Sequence, residues 1–151
     1  MSEGRGTTRP FEIFGAPYLD PDAVRREIDP AAIEGVVLRE LHFKPTFNKW
    51  SGQVCRGFHM HVTDRDVFRP YRASLAILSA MIKVHPDMFG WSDPPYEYVF
   101  DRMPIDVILG DAAVRKGLEG GRSIFDLESE WAESLAEFMS LRSRFLLYSP
   151  T

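Results

Sequence analysis

Two arginines, two threonines and two acids lie close together near the start of the sequence, in the segment EGRGTTRPFE. A guanidinium group donates paired hydrogen bonds that suit a carboxylate or a phosphate. The glycines between these residues allow backbone amides to approach a ligand. These residue types predict a polar binding surface, whose candidate residues are Glu3, Arg5, Thr7, Thr8 and Arg9. The alternative is a flexible, solvated N-terminal arm.

His59 and His61 alternate along one predicted strand and are followed by Asp64, a set that resembles metal ligands. A catalytic zinc site needs a third ligand in a defined place, which Asp64 or His42 on a neighbouring strand would supply. The alternative is a pair of histidines in a polar, hydrogen-bonded pocket. Because the Cys/His spacings of known zinc motifs are missing, we expect no metal and no other cofactor.

Glu97 and Asp101, in the segment PPYEYVFD, are a candidate acid/base pair. Paired carboxylates are what glycoside hydrolysis uses. The alternative is structural, since acids in loops commonly accept hydrogen bonds from backbone amides or pair with arginine. The single cysteine, Cys55, has no expected partner beyond histidines on the same strand face, so it is a weak candidate nucleophile.

The composition restricts the class of protein. The chain has 151 residues, of which 44% are hydrophobic, and a net charge of −4. One cysteine excludes an intrachain disulfide. The acidic balance argues against nucleic acid or an anionic membrane as the main partner. Neither an apolar run of membrane-spanning length nor a signal peptide is visible, and the compartment is left open.

Two segments rich in β-branched and aromatic residues, about 36–47 and 54–63, predict an antiparallel strand pair. Placing His42 opposite His59 brings the apolar residues of both strands onto one face, because side chains alternate with a period of two. The other face then carries the polar side chains of His42, Lys44, Thr46, His59 and His61.

Hydrophobic spacing and capping residues predict helices at about 21–28, 66–84, 104–119 and 124–142. The expected N-caps include Asp20, Asp66 and Ser123, and Gly110 divides the third helical stretch. The predicted core stripe of the last helix is Leu127, Trp131, Leu135 and Phe138. This order of helices and strands predicts one α+β domain over residues 1–151.

Three long segments carry a family resemblance: SEGRGTTRPFEIFGAPYLDP, FKPTFNKWSGQVCRGFHMHVTDRDVFRP and PPYEYVFDRMPIDVILG. In this order they resemble the C-terminal portion of bacterial exo-β-N-acetylmuramidases. These peptidoglycan-recycling glycosidases were formerly catalogued as a domain of unknown function. The likeness covers nearly the whole chain and ends at RFLLY, as those proteins do.

The resemblance implies that an N-terminal Rossmann-like domain, absent from this sequence, carries the principal catalytic glutamate. It also implies that the active site lies in the cleft between the two domains, with EGRGTTRPFE lining it. The substrate-binding residues carried over are Glu3, Arg5, Thr7, Thr8, Arg9, Lys44, Thr46, His59, His61 and Tyr96, with Glu3 and Glu97 as assistants to catalysis. Family members are often exported.

The resemblance therefore implies a substrate-cleft domain of a muramidase, inactive without its N-terminal partner domain and binding a peptidoglycan-derived sugar. The alternative is a stand-alone, non-catalytic binding module for anionic sugars or cell-wall fragments. Without the partner domain, residues 1–8 are expected to be mobile unless a second copy of the chain covers them, while Phe11, Ile13 and Phe14 dock on the core.

Overall fold

A computed structural model describes residues 1–148 of the chain. Three strands and five α-helices, with one 3-10 turn, follow one another in an order that confirms the α+β class. The elements are β1 (Ile13–Ala16), α1 (Pro21–Glu27), the 3-10 turn (Pro30–Ile33), β2 (Val36–Phe43), β3 (Cys55–Val62), α2 (Pro70–Val84), α3 (Pro104–Leu109), α4 (Ala112–Glu119) and α5 (Ile124–Ser143).

The sheet is antiparallel, in the order β1-β3-β2. The predicted strand pair is present, but its strands are shorter than expected. β2 ends at Phe43, and β3 begins at Cys55. Strand β1 was not predicted, because its four residues are all buried and show no alternation of apolar and polar side chains. This short strand places the N-terminal segment beside β3.

The predicted register of β2 against β3 is wrong by three residues. Arg39, not His42, lies opposite His59, and His42 lies opposite Arg56. Since three is an odd number, the shift moves His42 to the face opposite the two histidines of β3. The physical reason is the core: Leu38 and Phe58 are both buried on one face of the sheet, so the start of β2, not its end, covers Phe58.

The predicted helices are present, with changes at their ends. Asp20 caps α1 through its side chain, as expected, and Ser123 caps α5. Asp66 does not cap α2, which begins at Pro70 after an uncapped Arg69. The predicted stretch 104–119 is two helices, α3 and α4, which Gly110 separates as expected.

Only part of the predicted core stripe of α5 is in the core. Leu127 is buried and Trp131 is half-buried, whereas Leu135 and Phe138 are 51% and 56% exposed. The helix packs against α2 and α4 near its N-terminal end, and its later turns extend beyond these neighbours. Within residues 1–148 no helix combines the length and apolarity needed to cross a membrane.

Hydrogen bonds connect the first eight residues to β1 and to the β2–β3 connection, and the mobility of this arm stays a prediction that amide exchange tests. Ser2 exchanges backbone hydrogen bonds with Gly15, at 2.7 and 3.0 Å, and its side chain is buried. The Gly6 carbonyl accepts from the Thr46 amide at 2.8 Å. Ile13 and Phe14 are buried as expected, whereas Phe11 is 69% exposed.

Two facing glycines allow β1 to approach β3. Gly15 lies opposite Gly57, and a Cβ atom built on Gly57 would lie 1.9 Å from the Phe14 carbonyl oxygen. A side chain at position 57 would therefore separate β1 from the rest of the sheet, together with the N-terminal segment that β1 carries.

We expect Gly57→Ala to lower the free energy of unfolding by about 1–3 kcal/mol, the usual cost of overpacking a well-packed interior. Denaturant unfolding followed by circular dichroism measures this change. Gly90→Ala is the matched control, because a Cβ atom there meets nothing within 4 Å. Equal stabilities of the two variants would contradict the proposed role of Gly57.

Candidate functional site

A cavity of about 500 Å³ opens where the N-terminal segment meets β2 and β3. Its lining combines hydroxyl, cationic, imidazole and apolar side chains from segments far apart in sequence. The lining residues are Thr7, Thr8, Arg9, Ile13, Arg39, Leu41, Phe43, Lys44, His59 and His61. The arrangement supplies hydrogen-bond donors beside a small apolar surface, which is typical of a site for a polar organic ligand.

The structure brings together six of the residues proposed from the sequence. These are Thr7, Thr8, Arg9, Lys44, His59 and His61. Five other candidates do not line the cavity: Glu3, Arg5, Thr46, Tyr96 and Glu97. Arg39, which was not proposed, does.

A continuous chain of polar contacts joins side chains of β2 and β3 to the N-terminal segment. Arg9 Nη1 donates to Glu12 Oε2 at 2.9 Å, and the same carboxylate oxygen lies 3.2 Å from His59 Nε2. The other ring nitrogen of His59, Nδ1, lies 3.1 Å from Arg39 Nη2. Arg39 Nε in turn donates to His61 Nε2 at 3.2 Å.

These contacts determine where each histidine carries its proton. A guanidinium group has no acceptor, so His59 Nδ1 and His61 Nε2 must both accept from Arg39. His59 is then protonated on Nε2 and donates to Glu12, while His61 is protonated on Nδ1. Both rings are neutral in this arrangement, and their centroids lie 3.9 Å apart.

The electrostatics of His61 and Glu12 agree with this assignment. Burial, chiefly, and the positive charge of Arg39 lower the pKa of His61 below its ordinary value. Hydrogen bonds from Arg9 and then His59 lower the pKa of Glu12, so its carboxylate stays ionised. The network is therefore one anion and two neutral rings held between two arginines.

Arg39 was missed because the predicted register placed it on the apolar face with Leu41 and Phe43. The signal that could have found it is Leu38. Only a register that buries Leu38 against the face of Phe58 leaves Arg39 beside His59.

The cavity lining is positively charged, although the whole chain carries a net charge of −4. Arg9, Arg39 and Lys44 are three cations, and no acidic residue among the described residues lines the cavity. Glu12 approaches it only through its contacts with Arg9 and His59. This balance of charge favours an anionic ligand.

Glu3 is held as an anion in the N-terminal segment, outside the cavity lining. Its carboxylate accepts from Lys49 Nζ at 3.1 Å and lies 3.3 Å from Arg5 Nε. Burial opposes ionisation, but the Lys49 hydrogen bond and the charges of Lys49 and Arg5 outweigh it, so the pKa of Glu3 is lowered. A carboxylate with a lowered pKa is a poor general acid.

Thr46 and Thr7 contribute to the frame of the N-terminal segment. The Thr46 hydroxyl and amide both donate to the Gly6 carbonyl, at 2.9 and 2.8 Å. The Thr7 hydroxyl donates to the Gly4 carbonyl at 2.6 Å and accepts from the Arg9 amide at 3.1 Å. Thr7 thus orients the backbone of Arg9 while it also lines the cavity.

Tyr96, Glu97 and Asp101 lie in the connection between α2 and α3. Tyr96 and Val99 exchange backbone hydrogen bonds at 3.0 and 2.9 Å, and Glu97 between them is exposed with a positive φ of 52°. The Asp101 side chain is 86% exposed. The structure therefore does not bring this predicted acid/base pair to the cavity.

The histidines do not form the metal site considered from the sequence. His42 lies on the other face of the sheet, and Asp64 accepts from the backbone amides of Asp66 and Val67. Among residues 1–148 no three histidine, cysteine or acidic side chains are grouped to hold a metal ion. Both histidines instead accept from Arg39.

A second cavity, of about 580 Å³, is larger but chemically less suited to an ionic ligand. It lies among α2, α4 and the start of α5, and its lining is largely apolar. Its lysine, Lys83, is paired with Glu27, and its arginine, Arg122, with Glu130. We therefore assign the candidate site to the smaller cavity, where two cations have no acidic partner among the described residues.

We expect His61 to titrate below the usual histidine value of about 6.5. Arg39→Gln removes a neighbouring positive charge and should raise the midpoint, whereas Glu12→Gln removes a negative charge and should lower it further. NMR titration of the imidazole carbon-bound protons measures all three midpoints. A wild-type midpoint at or above the usual value would contradict the assigned network.

The lowered pKa of His61 also makes the free energy of unfolding depend on pH. Because the unfolded chain binds a proton at His61 more readily than the folded chain does, the contribution of His61 to stability is fully present above about pH 6.5 and is lost as the pH falls.

Comparisons with known proteins place this chain in a family. The family model described as "Exo-beta-N-acetylmuramidase NamZ, C-terminal" matches residues 1–148. The peptidoglycan β-N-acetylmuramidase NamZ of Bacillus subtilis (strain 168) is 30% identical over 148 residues. That alignment covers 98% of this chain and 34% of the relative.

A solved structure has the same fold. The crystal structure of a DUF1343 family protein from Bacteroides fragilis superposes with a TM-score of 0.78 at 21% identity. The match covers 99% of this chain and 38% of that protein, so the chain spans little more than a third of the length of these relatives. Since the family model matches nearly the whole chain, the chain belongs to the NamZ C-terminal family of glycoside hydrolases.

Proposed function

We propose that this chain forms the substrate-binding side of an exo-β-N-acetylmuramidase active site and recognises N-acetylmuramic acid at the non-reducing end of peptidoglycan fragments. The observation that carries the proposal is the charge of the cavity. Three cations and no acid line it among the described residues, in a family named for muramidase activity.

The ligand and the lining have matching chemistry. N-acetylmuramic acid differs from N-acetylglucosamine by a lactyl ether that ends in a carboxylate, and arginine and lysine are the side chains that bind such a group. The hydroxyl of Thr8 suits the hydroxyl and acetamido groups of the sugar, and the remaining lone pair of the Thr7 hydroxyl can accept one further hydrogen bond. Leu41 and Phe43 provide an apolar surface for its C–H groups.

Catalysis requires groups that this cavity does not supply. Glycosidases of most families use two carboxyl groups, one of which must be protonated to act as the acid. The two carboxyl groups considered as assistants to catalysis do not fit this role. Glu3 is held ionised by Lys49, and Glu97 does not line the cavity. We therefore assign the principal catalytic carboxylate to the part of the relatives' length that this chain does not span, in a Rossmann-like domain.

Binding distinguishes this proposal from a neutral sugar site. We expect N-acetylmuramic acid to shift NMR signals of the cavity residues saturably, and N-acetylglucosamine to bind more weakly because it has no carboxylate. Lys44→Gln should weaken binding of N-acetylmuramic acid about two- to fivefold, the usual range for a solvent-exposed charge pair.

Arg102→Gln is the matched control, because Arg102 is an exposed cation of the α2–α3 connection outside the cavity. Its affinity should equal that of the wild type. Equal affinities of the wild type for the two sugars would contradict the proposed substrate.

Turnover tests the assignment of catalysis to another domain. We expect the chain alone not to hydrolyse a chromogenic muramic acid glycoside, and the separately expressed N-terminal domain of a family member to restore turnover when the two are mixed. Lys44→Gln should then raise KM more than it lowers kcat. If both parts fold and the mixture stays inactive while the chain binds the sugar, a stand-alone binding module is the better account.

A further inference from the structure

Arg39 is bound on one edge and open on the other. A guanidinium group has five N–H bonds, and the contacts with His61 and His59 use one on Nε and one on Nη2. The remaining three N–H bonds are the two on Nη1 and the second on Nη2. None of them donates to an acceptor among residues 1–148. The open pair of nitrogens, Nη1 and Nη2, is a fork that can bind both oxygens of one carboxylate.

The charge of Arg39 is uncompensated, unlike that of the other arginine that lines the cavity and of several arginines elsewhere in the fold. Arg9 is paired with Glu12, Arg5 with Glu3 and Arg115 with Asp106. Within residues 1–148 Arg39 forms no ion pair, and the two side chains that orient it are neutral imidazoles. An imidazole acceptor fixes the guanidinium without cancelling its charge, which a carboxylate in the same place would do.

Glu12 keeps this arrangement in one tautomer. Its carboxylate accepts from His59 Nε2, which leaves the Nδ1 lone pair for Arg39. The side chain of His59 is only 9% exposed, so the ring is held by its surroundings as well as by its two hydrogen bonds. Glu12 and His59 therefore orient Arg39 before any ligand arrives.

We propose that Arg39 is the carboxylate receptor of this site, binding the lactyl carboxylate end-on through Nη1 and Nη2. The inference rests on the proposed function and adds which cation determines specificity. Arg9 is already neutralised by Glu12 and lines the cavity without serving as this receptor. Glu12, His59 and His61 are positioning residues, since they act on the ligand through Arg39.

The test uses D-lactate as a minimal carboxylate and the two amino sugars as the full ligands. In the wild type, D-lactate should saturably shift the Nε–H NMR signal of Arg39, which the hydrogen bond to His61 protects from exchange. Arg39→Gln should weaken N-acetylmuramic acid binding about tenfold or more and leave N-acetylglucosamine binding unchanged, since only the charge-assisted fork is lost. Arg39→Lys should restore only part of the affinity, because an ammonium group has no fork.

Arg102→Gln is the matched control and should leave the preference for N-acetylmuramic acid unchanged, because Arg102 is an exposed cation outside the cavity. The inference is overturned if Arg39→Gln keeps the wild-type preference, or if D-lactate leaves the Arg39 signal unmoved in the wild type. The second measurement needs no variant, so it decides even if Arg39→Gln fails to fold. A shift with D-lactate but equal binding of the two sugars would support the carboxylate receptor and contradict the muramic acid substrate.

Discussion

The site depends on the register between β2 and β3, and the core sets that register. Leu38 and Phe58 are buried on one face of the sheet, which places Arg39 beside His59 on the other. A shift of one residue would exchange the two faces of β2 and send Arg39 to the core side. The cationic cavity is therefore a consequence of how an apolar face is packed, and no local interaction of Arg39 would suffice to create it.

Local patterns were enough to predict most elements and several lining residues, but not their pairing. The caps Asp20 and Ser123 are short-range signals and were identified correctly. The register was not predicted correctly, because β2 offers two apolar stretches, and the choice between them depends on the burial of Leu38 with Phe58 in the common core. The short β1 was missed for a related reason, since a strand buried on both sides shows no alternation.

The chain is acidic overall, yet its cavity is positively charged, because the acidic side chains lie outside the cavity lining. Glu12 is paired with Arg9, which lines the cavity, and Glu3 is paired with Lys49, which does not. The two histidines add hydrogen-bonding capacity without negative charge. Burial of the rings favours the neutral form of His61, and the neutral form is the one that accepts from Arg39. Packing and electrostatics therefore favour the same protonation state.

The N-terminal segment unites residues with two different roles, which the family resemblance alone does not separate. Gly4 and Gly6 adopt positive φ values and accept hydrogen bonds from Thr7 and Thr46 through their carbonyls, which folds the segment against the β2–β3 connection. Thr46 and Glu3 belong to this frame, and Thr7, Thr8 and Arg9 to the lining. Several backbone amides of this segment are hydrogen-bonded within the chain, among them those of Ser2, Gly4 and Thr7. A ligand that binds to this conformation has less of the segment to order than it would in a mobile arm, which lowers the entropic cost of binding.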